Sequence, residues 1–139
     1  MNILKVLTPS RKTGNFGERA AARLLKKSGY KILARNFTAL DSEIDVIARS
    51  KDVTVFVEVK TRTVGKQSPA EPRPASAVTP DKQRNIIKAA KCYLAQKKSE
   101  GRVRFDIIEV LLTGEEKKSI FKINHIENAF NQNTANRRH

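Results

Sequence analysis

At 139 residues the chain has room for one compact domain with a modest core, and 28 Lys and Arg against 14 Asp and Glu leave it a net charge of +14. So large a basic excess on a small domain is the footprint of a polyanion binder, and nucleic acid is the expected partner; ribosome association or a merely solvated basic surface are the plainer alternatives. The single cysteine, Cys92, excludes an intrachain disulfide and a cysteine zinc cluster, while His125 and His139 lie too far apart in the chain to suggest a histidine metal site. No apolar run reaches transmembrane length, and Met1 to Leu7 is too short for a signal-peptide core, so a cytoplasmic protein with no membrane partner is expected.

In chain order, residues 1–13 read as a mobile basic arm, 14–130 as a single domain and 131–139 as a disordered polar tail. Asn15 to Ser28 predicts the first helix, with Phe16, Ala20 and Leu24 in one stripe and Glu18 beside Ala21, Ala22 and Leu25 on a neighbouring face. Asn15 as N-cap with Glu18 three residues on explains Glu18 as a helix-capping acid. Tyr30 to Phe37 reads as a strand. Glu43 to Ala48 and Val53 to Lys60 read as a hairpin around a polar turn, Arg49-Ser50-Lys51-Asp52.

Alternation in the second hairpin strand is strict: Val53, Val55, Val57 and Val59 share one face, Thr54, Phe56, Glu58 and Lys60 the other. In the first, Ile44, Val46 and Ala48 oppose Glu43 and Asp45. An even turn or a bulge then sets Glu43, Asp45, Glu58 and Lys60 side by side; an odd turn would bury carboxylates among the valines. The Pro-rich stretch after Lys60 predicts a flexible loop over 64–78, either closing on a ligand or a surface insertion. Thr79-Pro80-Asp81 is a strong helix start. That helix runs to about Lys98, with Ile86, Ile87, Ala90, Tyr93 and Leu94 buried and Arg84, Lys88 and Lys91 forming a basic stripe. The stripe suits a phosphate backbone or is a solvated lysine face. Val103 to Leu112 and Ser119 to Asn124 read as strands, Asp106 as an acid buried in an ion pair with Arg104 or a lysine or else a further acid near the site, and His125 to Phe130 as a helical turn.

The candidate chemistry lies in the hairpin. Asp45 followed by Glu58-Val59-Lys60 makes the pattern D…E-x-K. Acids on two adjacent strands, with the Val59 carbonyl between them, offer oxygen ligands to Mg²⁺ or Mn²⁺, and a lysine two residues after the glutamate reaches the same side to orient or deprotonate a water. A cross-face ion pair explains Glu58 and Lys60 equally well.

The ordered motifs, Asn15-Phe-Gly-Glu-Arg-Ala-Ala, Gly29-Tyr-Lys-Ile-Leu-Ala-Arg-Asn, Glu43-Ile-Asp-Val-Ile-Ala, Val55-Phe-Val-Glu-Val-Lys-Thr-Arg, Lys82 to Leu94 and Arg104-Phe-Asp, resemble the YraN family of small bacterial proteins. That family is similar to archaeal Holliday-junction resolvases and to restriction-endonuclease-like nucleases. The resemblance implies an α/β fold, a restriction-endonuclease-like mixed β-sheet flanked by helices, and a Mg²⁺- or Mn²⁺-dependent endonuclease acting on DNA, branched DNA included. The alternative is a non-catalytic nucleic-acid-binding protein that keeps the fold. The resemblance further implies Asp45, Glu58, Val59 and Glu18 as metal ligands, Lys60 as the catalytic base or water-orienting group, and Glu43 as an accessory acid. Arg62, Arg84, Lys88 and Lys91 are the candidates for nucleic-acid contact. Related resolvases act as dimers, which makes a homodimer an expectation for which the sequence names no interface. Ser42 stands where the family usually has glycine.

Overall fold

Two apolar coats on one sheet organise the chain. The computed structural model describes residues 9–63, 78–114 and 119–136. In order come α1 (Pro9–Lys27), β1 (Lys31–Ala39), β2 (Ser42–Ser50), β3 (Val53–Thr63), α2 (Pro80–Lys97), β4 (Arg102–Thr113), β5 (Ser119–Phe130) and α3 (Gln132–Ala135). The strands form a five-stranded sheet in sequence order. β3 and β4 are parallel, because α2 carries the chain back across the sheet between them, and the other neighbours are antiparallel. This is the mixed α/β sheet flanked by helices expected of a restriction-endonuclease-like fold.

On one face Val46, Ala48, Val55, Val57, Ile108 and Val110 pack with Ala21 and Leu25 of α1. On the other, Ile47, Phe56 and Ile107 pack with Ile86, Ala90 and Tyr93 of α2. The central strand is therefore buried on both sides, which is why β3 reads as an almost unbroken apolar run until Glu58. Phe56 stacks on Phe105 at 5.5 Å and meets Tyr93 edge-on at 5.9 Å between ring centroids.

Several expectations change. Helix α1 begins at Pro9, so Asn15 lies inside it and cannot cap it; Glu18 is a mid-helix residue with no orphan N–H groups to satisfy. Its buried stripe is Gly17, Ala21 and Leu25, with Phe16, Ala20 and Leu24 only partly covered. β3 continues through Thr61 to Thr63, paired with Val110 to Leu112. Val78 is buried against the α2-side core, and the rest of the loop expected over 64–78 lies outside the described residues, as do residues 1–8 of the expected arm. His125 to Phe130 is the second half of β5 rather than a helical turn, since Ile126 and Phe130 pair with Ile107 and Phe105. In the stretch expected to be a disordered tail, Asn131 caps α3 and Ala135 is buried.

Away from the hairpin, Asp106 is fully buried. Its carboxylate accepts from Arg104 Nε and Nη2 (2.9 and 2.8 Å), the Asn128 N–H (2.9 Å) and, at 2.7 Å, the His125 ring. Burial pushes the Asp106 carboxyl up, but His125, Arg104 and the Asn128 N–H outweigh it and hold the group below the usual carboxylate range. The ion pair with Arg104 is the one expected, and Asp106 serves the fold.

Candidate metal centre

The β2–β3 hairpin turns through Lys51 and Asp52, with Ser50 opposite Val53 and no bulge, which is the even turn the apolar pattern requires. The ladder runs to Val46 opposite Val57 and stops. One step further the same register brings Asp45 to Glu58. There the strands part, and the Val59 N–H donates to Asp45 Oδ2 at 2.7 Å instead of to a main-chain carbonyl. A residue's N–H and C=O leave a strand by the same edge, so the Val59 carbonyl faces this gap too.

The cause of the split is a local slip in alternation. Ile44 packs with Ile47 and Phe56 on the α2 side, whereas Val46 belongs to the α1-side core. The shared face expected for Ile44, Val46 and Ala48 is therefore not formed. On β1, Arg35 is opposite Val46 and Phe37 opposite Ile44, and Asn36 between them turns left-handed at φ 55°. Asp45 is the β2 residue at that slip, so its carboxylate enters the gap rather than either core.

Five elements converge here. α1 brings Glu18, β1 brings Asn36, β2 brings Glu43 and Asp45, β3 brings Glu58, Val59 and Lys60, and α2 brings Lys82. Oxygens of Glu18, Glu43 and Asp45 lie within 4.8 Å of one another. The Asn36 amide, oriented with its nitrogen towards the acids, donates to Glu18 Oε2 at 3.1 Å and Glu43 Oε1 at 3.0 Å. Arg35 Nη2 stands 3.7 Å from Glu18 Oε2. Glu58 joins this group through Asp45, and its Oε1 meets Lys82 Nζ at 3.2 Å. Glu43, Asp45, Glu58, Asp81, Lys82 and Asn85 line an open cleft of about 570 Å³. α1 reaches the sheet closely enough to deliver Glu18 because Gly17 has no side chain: a Cβ there would overlap Thr61 Oγ1.

The electrostatics follow from burial and like charge. Asp45 is pushed up to about 8, first by burial and then by the neighbouring Glu58, against the opposing pull of the Val59 N–H. Lys60 is lowered, first by burial and then by the Lys82 ammonium beside it. Burial pulls Lys82 down as well, but Glu58, aided by Asp45, more than offsets it and the net shift is upward. Glu58 is 6% exposed, and its Oε2 has no hydrogen-bond partner among the described residues. The proton that Asp45 retains can bridge to Glu58, but once both acids ionise the buried pair is unfavourable unless a cation fills the space, and an all-oxygen donor set suits Mg²⁺ or Mn²⁺. The residues present fit such an ion.

Of the residues singled out in the sequence, Glu18, Glu43 and Asp45 form the tight cluster, while Glu58, Val59 and Lys60 adjoin it through Asp45, Glu58 lying outside the 4.8 Å group. Arg62 Nη2 lies 3.8 Å from Glu109 Oε1 at the end of β3. Arg84 is held by Asp81 and by the Ala135 carbonyl of α3, which draws it out of the basic stripe; Lys88 and Lys91 remain exposed. Lys82 and Asn36 are the residues that motif reading missed. Asn36 closes the Gly29-to-Asn36 motif, but nothing in that motif gave it a role at the site. Lys82 carried one, a cation in the first turn of a helix, where the dipole disfavours it.

A mixed-sheet α/β protein that gathers four carboxylates and two ammonium groups where its central strands split is the class these features define. The chain belongs to the uncharacterised protein family UPF0102, whose pattern matches residues 17–110. A UPF0102 protein of Caldanaerobacter subterraneus subsp. tengcongensis is 48% identical over 118 residues, covering 84% of this chain and 93% of that protein. One from Geobacter metallireducens is 45% identical over 118 residues, covering 84% and 90%. One from Clostridium acetobutylicum is 43% identical over 122 residues, covering 87% and 95%. No helix among the described residues is long and apolar enough to cross a membrane.

Proposed function

We propose that the protein is a metal-dependent endonuclease that hydrolyses DNA phosphodiester bonds, branched DNA included. The observation that carries this reading is the pairing of Asp45 with Glu58 at the strand split, with Lys60 on the same side of β3. Asp45, Glu58 and the Val59 carbonyl would hold Mg²⁺ or Mn²⁺, with Glu18 and Glu43 completing the oxygen shell. The cation would supply Lewis acidity towards the scissile phosphate and the attacking water. Asp45 must give up its proton to act as a ligand. Lys60, its pKa lowered by burial and by the neighbouring Lys82, would orient the water and take its proton. The net charge of +14 draws the polyanion to a cleft that is itself acidic, and a binder without chemistry gains little from carboxylates aimed at phosphates.

The test is a cleavage assay on linear, flapped and four-way DNA with Mg²⁺ or Mn²⁺, run beside Asp45→Asn and Glu58→Gln. Both variants lose cleavage while their DNA binding stays intact or tightens. Equal cleavage by variants and wild type would remove this site. DNA binding by the wild type with no cleavage on any substrate would leave a nucleic-acid-binding module instead.

A further inference from the structure

Lys82 has no role in the hydrolytic scheme, and it stands where a helix disfavours it. Thr79 caps α2 and its hydroxyl oxygen accepts from the Lys82 N–H at 3.2 Å, which puts Lys82 in the first turn, at the positive end of the macrodipole. Lys60 adds a second positive charge beside it. What offsets both costs is Glu58, whose Oε1 lies 3.2 Å from Lys82 Nζ. The two partners differ in freedom: the Glu58 side chain is 6% exposed and that of Lys82 45% exposed. The acid is fixed in the gap, while the ammonium sits on a flexible stem that can swing into the open cleft without disturbing the core. A second acid is attended similarly, with Arg35 of β1 at 3.7 Å from Glu18.

We propose that Lys82 is the resident counterion of Glu58, a positioning residue that holds the carboxylate in place in the metal-free protein and gives it up to an incoming divalent cation. The inference rests on the metal-site reading above. Lys82 and the cation compete for one carboxylate, so Lys82 sets the metal affinity of the site. A weak resident counterion keeps a buried acid neutralised when no metal is present, yet yields to a doubly charged ion. A lysine suits this role, since a forked guanidinium would hold the carboxylate by two bonds at once.

The test is Mn²⁺ binding to the full-length, DNA-free protein, read from the electron paramagnetic resonance signal of unbound Mn²⁺. It compares wild type with Lys82→Met, Lys82→Arg, Lys88→Met and Glu58→Gln. Lys82→Met binds Mn²⁺ about 1.5- to fivefold tighter than wild type, the range set by the worth of a half-exposed ion pair. Lys82→Arg binds no tighter than wild type. Lys88→Met, which removes the same charge from the exposed side of α2, leaves affinity unchanged. A merely structural Lys82 would move affinity the other way, because loss of the pair would release Glu58 from its position. Equal or weaker Mn²⁺ binding by Lys82→Met overturns the inference, and Lys82→Gln supplies the same comparison should the methionine variant not fold. Wild type that fails to bind Mn²⁺, or binds it as well as Glu58→Gln does, overturns the metal-site reading itself and this inference with it.

Discussion

Asp45 keeps a proton that an ordinary aspartate has lost well below neutrality. Burial and the Glu58 charge move its carboxyl from 3.8 to about 8. Between those values the unfolded chain releases this proton while the folded protein keeps it, so unfolding becomes easier as pH rises. The contribution of Asp45 to stability is thus fully present below about 4 and is lost as pH rises through about 8. Asp45→Asn removes the group from the titration. Thermal melts of the metal-free proteins should show the wild type losing ground to the variant across that interval, with the variant the more stable at its upper end. A constant difference between the two would mean that Asp45 ionises normally. A cation bound at the proposed site would displace the same proton, so its affinity should rise with pH through this range.

Elements, rather than single side chains, decide where the acids meet. α1 can place Glu18 over the gap only because Gly17 lies against Thr61. Helix propensity alone favours Gly17→Ala by about 1 kcal/mol. The overlap with Thr61 costs about 1–3 kcal/mol, so the variant should be destabilised overall in denaturant titration and should bind Mn²⁺ more weakly as α1 lifts. A net gain in stability would show that Thr61 rotates aside and that the close approach does not hold α1 in place. In α2, the Asp81 and Ala135 contacts of Arg84 leave Lys88 and Lys91 as the exposed pair of the basic stripe. Neutralising both should lower the slope of log affinity for DNA against log salt by about one to two phosphate contacts. An unchanged slope would take this face of α2 out of the interface.

Across the whole molecule, what was legible in the sequence was what repeats. Alternating valines marked β3 and the face it turns to α1, and the same alternation selected an even turn, which aligned Asp45 with Glu58; burial of the Phe56 face under α2 was not marked by it. What was not legible depended on departures from repetition. The slip between Ile44 and Val46 needs Asn36 in a left-handed conformation on the neighbouring strand, and no local pattern in β2 announces it. Glu18 read as a capping acid because the polar residues before Asn15 resemble an arm, yet the helix runs through them from Pro9. Lys82 meets Glu58 only after the chain has crossed the sheet, a proximity set by the parallel pairing of β3 with β4 rather than by spacing.

The cation we propose for the split between β2 and β3 joins these levels. Crystals of the protein soaked in Mn²⁺ and measured for anomalous scattering locate such an ion directly. The account predicts an anomalous peak bound by Asp45, Glu58 and the Val59 carbonyl, absent from Glu58→Gln crystals treated in the same way. A peak elsewhere on the surface with this gap empty, or one that persists in Glu58→Gln, would contradict it.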